Sequence, residues 1–219
     1  METNMASDKD LKQNVVDELN WAPNVNSAHI GVAARDGIVT LTGHVETYSG
    51  KIDAEHAVRR VKGVKAIANE IEIKLNSHAK RDDEDIALAA VNVLAWDGNV
   101  PSDAIKVAVS KGWVTLSGQV EWYFQKEAAA QDIRRLMGVI GVSNEAVVKP
   151  KIDTDVIAED IEFALNRAWF DTKRIKVAAD GGKVTLTGKV ETWSDWEEAS
   201  EVAWAAKGVT SIENDIIIA

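Results

Sequence analysis

Apolar residues recur along this chain in two alternating rhythms. A stretch with a spacing of four, Leu11, Val15 and Leu19, gives way to stretches with a spacing of two, Ile30-Val32 and then Val39-Leu41. The first spacing predicts an amphipathic helix and the second predicts strands with one buried face. The succession returns as Ile86, Ala90 and Leu94, then Ile105-Val107-Val109 and Val114-Leu116. It returns again as Ile157, Ile161 and Leu165, then Ile175-Val177 and Val184-Leu186, with one residue lost after the helix. A second helix is expected over roughly 49–62, 124–137 and 194–207, with Ala54/Val58/Val61, Ala129/Ile133/Leu136 and Ala199/Ala203/Ala206 as its small or apolar face. A last strand follows, as in Ile67-Asn69-Ile71-Ile73 and Ile212-Asn214-Ile216-Ile218. The order αββαβ therefore occurs three times.

The residues at the turns repeat in register as well. The run from Asp36 to Glu46 matches the run from Lys111 to Glu121 and the run from Gly181 to Glu191. Gly63-Val64, Gly138-Val139 and Gly208-Val209 keep their offsets, as do Asn69, Asn144 and Asn214. Asp36-Gly37, Lys111-Gly112 and Gly181-Gly182 supply the positive φ that tight hairpins need. Gly43, Gly118 and Gly188 sit inside a strand pattern and mark a bulge or a close backbone approach. Gly63, Gly138 and Gly208 stand where a helix C-cap belongs. Acidic residues crowd the start of the first helix (Asp8 and Asp10; Asp82 to Asp85; Asp153 and Asp155), complementing its dipole. The fold class expected is α+β, three tandem αββαβ two-layer sandwich modules over 8–75, 83–150 and 153–219. Asn76 to Arg81 and Lys149-Pro150-Lys151 are the linkers. Three short strands leave exposed edges on a small core, so packing between copies or between chains is expected.

The run Gly37 to Val45 with Gly63-Val64 and Asn69-x-Ile71, and its two echoes, resembles the BON-domain family. That family's pattern is a helix, then Gly-x-Val-Thr-Leu-Ser/Thr-Gly-x-Val, a helix ending in Gly-Val, and Val-x-Asn-x-Ile. The second copy departs on its last strand, with Asn144-Glu145-Ala146. The resemblance covers nearly the whole chain. It implies the αββαβ fold and a role in phospholipid or envelope interaction, often under osmotic stress. Members elsewhere bind phospholipid or, together with another domain, potassium. Members with an envelope role usually carry a signal peptide or a lipobox.

Charge narrows the classes of partner. The formal net charge of −10 speaks against a nucleic-acid binder, which needs a basic face, and against adhesion to an anionic membrane by charge alone. Residues 1–75 carry 9 basic and 11 acidic side chains, 76–150 carry 8 and 10, and 151–219 carry 8 and 14, so the acidity sits mostly in the last third. No window has the apolar length of a transmembrane helix, and Met1 to Asp10 has no basic start followed by an apolar run. The cytoplasm is the expected location, and the periplasm only if an upstream signal was removed. With no cysteine, thiolate and disulfide chemistry are excluded.

No reactive constellation stands out. His29, His44, His56 and His78 all fall in the first copy or its linker, and His44 aligns with Gln119 and Lys189. His-x-x-x-His spacing is absent, so solvated histidines are expected. Asp82 to Asp85 lacks the alternating ligands and central glycine of a calcium loop and reads as a solvated helix start. Asp195, Glu197, Glu198 and Glu201 read as an exposed acidic helix face. No cofactor, metal or catalytic residue is expected.

The aromatic residues say more. Trp21 and Trp96 align at the end of the first helix with Trp169 one step away, which points to core or inter-repeat packing. Tyr48, Tyr123 and Trp193 align just past the second strand, with Trp122 and Trp196 beside them. The recurring aromatic reads first as a core lid and second as the contact surface for a partner or a lipid interface, and on that second reading these five are the candidate interaction surface. Trp113 sits beside its hairpin, and Trp204 on the second helix could face another copy. The function expected is a non-enzymatic, stress-associated binding or scaffold protein. Its partner would be another protein or a second copy, met through sheet edges or the aromatic surface. Peripheral phospholipid binding and potassium or calcium sensing are the alternatives.

Overall fold

A computed structural model describes residues 8–149, 157–167 and 175–218. The first copy runs α1 (Asp8–Trp21), β1 (Ile30–Arg35), β2 (Ile38–Val45), α2 (Tyr48–Arg59), β3 (Ala66–Asn69) and β4 (Glu72–Ile73). The second runs α3 (Asp83–Trp96), β5 (Ile105–Ser110), β6 (Trp113–Val120), α4 (Tyr123–Arg134), β7 (Gly141–Asn144) and β8 (Val147–Val148). The third runs α5 (Ile157–Arg167), β9 (Ile175–Asp180), β10 (Lys183–Val190), α6 (Trp193–Trp204) and β11 (Ser211–Ile218). Each copy has its own mixed sheet. The hairpin is antiparallel, and in the first two copies the returning strand pairs parallel to the hairpin's second strand, which lies in the middle. The α+β modules expected from the repeat are the ones observed.

The predicted stripes form the cores. Leu11, Val15 and Leu19 are buried with Val39, Leu41, Ala54, Val58 and Ile71. Ile86, Ala90, Leu94, Val114, Leu116, Ala129, Ile133 and Ala146 take the same places in the second copy. Ala146, the departure from the repeat pattern, is therefore a core residue, smaller than its counterparts Ile71 and Ile216.

Two recurring features are explained by backbone geometry. Gly43 and Gly118 have φ of 105° and 134°, and a Cβ on either would overlap the carbonyl oxygen of His29 or Ala104, the residue just before the neighbouring strand. The recurring asparagine closes the other edge. Asn69, Asn144 and Asn214 each accept the N–H two residues on through Oδ1, at 3.3, 3.3 and 3.1 Å. Their Nδ2 donates to the second helix, to Glu55 Oε2, the Lys126 carbonyl and Ser200 Oγ at 2.9, 2.7 and 2.6 Å. Burial pushes the Glu55 carboxyl up, but its hydrogen bonds from Asn69 and Arg59 outweigh that and hold it below the usual carboxylate range.

Two expectations are revised. The second helix ends near Arg59 and Arg134, several residues before Gly63 and Gly138. Arg60 N–H already bonds the Ala57 and Val58 carbonyls in a tightened last turn, so the glycine closes the turn after the helix. The acidic helix start in the second copy is more than a solvated face. Asp83 accepts the N–H groups of Lys111 and Gly112 at 2.7 and 2.8 Å, as Asp8 accepts that of Asp36 at 2.8 Å, pinning the hairpin turn to the helix. Asp153 and Asp155 lie outside the described residues. Contacts group the chain into two compact units. One holds residues up to Ala79 with Val190–Trp196 and Ile218, and the other holds Lys80–Lys189 with Glu197–Ile217.

Candidate functional site

The first turn of the second helix is where the copies diverge. In the first copy Thr47 caps α2, its Oγ1 accepting the Gly50 N–H at 3.0 Å. In the third copy Thr192 Oγ1 accepts the Asp195 N–H at 3.1 Å, and Asp195 Oδ2 accepts the Thr192 N–H at 2.9 Å, a reciprocal capping box. The second copy has Trp122 at this position, which has no acceptor to offer. Gln125 Oε1 takes over part of the task and accepts the N–H groups of Glu121 and Trp122, both at 3.0 Å. A favourable cap has been given up for a large aromatic.

That aromatic belongs to a cluster. Trp122 and Phe124 lie with ring centroids 6.5 Å apart, and Phe124 is 54% exposed. Tyr123 stacks on Trp204 of α6, with centroids 4.2 Å apart and planes within 9°. Burial pushes the Tyr123 hydroxyl above its ordinary value, and the Glu127 charge adds to this. A groove of about 590 Å³ opens here, lined by Trp122, Tyr123, Phe124, Gln131, Glu201 and Trp204 among others. Glu127 on its wall pairs with Arg134 at 2.6 Å. The groove offers aromatic and aliphatic surface edged with carboxylates.

The other unit places its aromatics differently. The Arg59 guanidinium lies 5.5 Å from the centre of the Trp193 ring, a cation–π contact, and Lys62 pairs with Glu191 at 2.9 Å. Trp193 and Trp196 are tilted against each other at 6.0 Å. Tyr48 is half-buried at the first position of α2.

The five expected surface residues are all half-buried. Within one unit Trp122 and Tyr123 line the groove, and within the other Trp193 and Trp196 meet each other. Phe124 and Glu201 were not among the expected residues. The signal for Phe124 lay in the run Trp122-Tyr123-Phe124, which starts where the repeat demands a cap. Trp204 does face another copy, through Tyr123.

Trp21 and Trp96 overturn their expectation, being 83% and 89% exposed. They lie two residues past Leu19 and Leu94, about 200° around the helix from the buried stripe. Trp169 lies outside the described residues. Trp113 donates from Nε1 to Ser143 Oγ at 2.9 Å, and its ring covers Gly141, where a Cβ would overlap it. No helix among the described residues is long and apolar enough to cross a membrane.

A family model described as the BON domain matches residues 7–74, 82–150 and 153–219. The chain is similar to the osmotically-inducible protein Y of Escherichia coli, 29% identical over 144 residues, 62% of this chain and 72% of that protein. It is similar to the outer membrane lipoprotein DolP of Haemophilus influenzae, 30% identical over 139 residues, 60% of this chain and 72% of that protein. Over 68 residues, 30% of this chain and 35% of the relative, it is 37% identical to a 21 kDa hemolysin of Actinobacillus pleuropneumoniae.

Proposed function

From the premise that this chain belongs to the BON-domain family, three matches long, we propose that it is a non-catalytic binding protein acting under osmotic stress, with the groove at the start of α4 as its contact surface. The observation that carries this reading is the exchange of a cap for an aromatic at Trp122, with Phe124 exposed beside it. A sequence that breaks a local stability rule at one copy only is most simply keeping that residue for contact. Residues common to all copies are accounted for by the fold: the glycines by close backbone approach, the asparagines by their ties to the second helix. The stress setting comes by analogy with the relative named for osmotic induction. The relatives lend no support to the expected cytoplasmic location, since one of them is named as an outer membrane protein.

The test is growth in high-osmolarity medium. Deletion of the gene should slow growth, the wild-type chain should restore it, and Trp122→Thr with Phe124→Ser should not, although the variant folds. A deletion without phenotype removes the stress setting. Full rescue by the double variant removes the groove.

Weak contact with a phospholipid surface is the second reading, favoured by the exposed aromatic side chains and by the lipoprotein relative. The net charge of −10 works against it on anionic lipid. Co-sedimentation with phosphatidylglycerol vesicles at low salt decides: pelleting that the double variant loses supports it, and no pelleting ends it.

A further inference from the structure

The groove at the start of α4 carries charge as well as apolar surface, and the charge says which kind of segment it receives. Its wall holds Glu127 of α4 and Glu201 of α6, with no lysine or arginine among the described lining residues. Beyond the effect of burial, Glu127, Glu201 and Glu197 each push the Tyr123 hydroxyl up, and Arg134 opposes them. Glu197 stands one helical turn before Glu201. Arg134 is itself paired with Glu127 at 2.6 Å. Three carboxylates against one guanidinium leave the aromatic surface in a net negative setting.

The fold does not impose this. The first copy has Ile52 where the second has Glu127 and the third has Glu197, and His56 where they have Gln131 and Glu201. It has Thr47 and Ser49 in place of Trp122 and Phe124, and its helix forms all the same. The aromatic surface can be reached from solvent, since Phe124 is exposed and Trp122 half-buried. The volume of about 590 Å³ is several times that of one ammonium or guanidinium group and suits a short run of side chains.

We infer that the groove receives a basic segment of a partner protein, one in which arginine or lysine alternates with apolar side chains. This rests on the reading of the groove as a contact surface and names what it contacts. An arginine side chain fits the lining in each of its parts. Its guanidinium plane stacks on an indole or phenyl face, its stem lies along apolar surface, and its fork bonds a carboxylate. An acidic segment or an anionic headgroup would instead bring its charge against Glu127 and Glu201, and like charges brought together cost affinity. The net charge of −10 steers the same basic class of partner toward the chain.

The probe is an end-capped peptide alternating arginine with leucine, titrated into the full chain by calorimetry at low and at high salt. A glutamate–leucine peptide of equal length is its opposite. The arginine peptide should bind, the glutamate peptide should not, and added salt should weaken the binding. Trp122→Thr with Phe124→Ser should weaken it about ten-fold or more, and Glu201→Lys about five-fold or more. Glu145→Lys makes the same change of charge at an exposed position of the same unit outside the groove, and should leave binding within about two-fold. Binding that the groove variants leave unchanged, or that Glu145→Lys weakens as much as Glu201→Lys, is attraction to net charge alone and overturns the inference. Groove-dependent binding of the glutamate peptide, or of phosphatidylglycerol vesicles in preference to the arginine peptide, overturns it too. So does a chain that does not bind the arginine peptide, whereas the groove itself stands or falls on the growth test, which keeps the two failures apart.

Discussion

The second helix starts on a threonine in the first and third copies and on a tryptophan in the second, and the difference separates what the fold requires from what it tolerates. Thr47 and Thr192 satisfy backbone donors of the first turn from their own side chains. Trp122 cannot, and Gln125 reaches back to bond the N–H groups of Glu121 and Trp122 instead. The helix forms in all three cases because its buried face, Ala129, Ala130 and Ile133 in the second copy, supplies most of its stability. The cap is thus an adjustable term, and the second copy has used that latitude to place an aromatic beside a groove. The first copy diverges elsewhere, at the mouth of its hairpin, where His29 and His44 are stacked.

If the copies share one frame and differ only at such places, damage to the frame must cost the same in each. Gly43→Ala and Gly118→Ala test this with the largest effect. Both put a Cβ onto a neighbouring carbonyl oxygen at a φ that disfavours any side chain. Each should lose about 3 kcal/mol or more, read from denaturant midpoints. A large loss at one position and a small one at the other would break the comparison.

Trp122→Thr comes next and has the opposite sign. It rebuilds Thr-x-x-Gln with Gln125 already in place, a capping box. The chain should gain about 1 kcal/mol, measured by urea unfolding, while losing whatever the groove binds. A variant no more stable than the wild type would mean that the Trp122 ring contributes packing equal to the lost cap.

Much of this could be read from the chain itself, and the limits are physical. Repetition in register identified the elements, because the spacings of four and two alternate identically three times. Residues whose role depends on direction around an element were harder. Trp21 and Trp96 align, which suggested burial, yet the angle of two further residues turns them to solvent. His29 and His44 lie equally far from the Asp36-Gly37 turn, so a hairpin register would have paired them, whereas a search for helical ligand spacing passed over them. The Tyr123–Trp204 stack joins two copies, and no pattern within a single copy encodes such a contact.

The smallest effect concerns a position where the first copy has Ala57, fully buried, and the second has Asp132. Asp132 Oδ2 is buried without a hydrogen-bond partner among the described residues. Burial pushes this carboxyl above its ordinary value, the charge of Asp97 pushes the same way, and Arg135 offsets part of the rise. An acid whose folded pKa is raised holds its proton more tightly in the folded chain than in the unfolded one. Stability from that proton is complete below the ordinary aspartate pKa and is lost as the pH rises through the raised one. At neutral pH the ionised Asp132 therefore works against the fold. Asp132→Asn keeps the shape and removes the charge, so it should stabilise the chain at pH 7, by no more than about 0.5 kcal/mol because solvent screens a partly exposed carboxylate. The gain should shrink on acidification and vanish below about pH 4, where the wild-type group is protonated in both states. Urea midpoints at pH 7 and pH 3.5 measure it. A gain that persists unchanged at pH 3.5 would assign the effect to the amide's hydrogen bonding, and a loss at pH 7 would mean that the Asp132 carboxylate is held by a partner that the first copy, with alanine, does without.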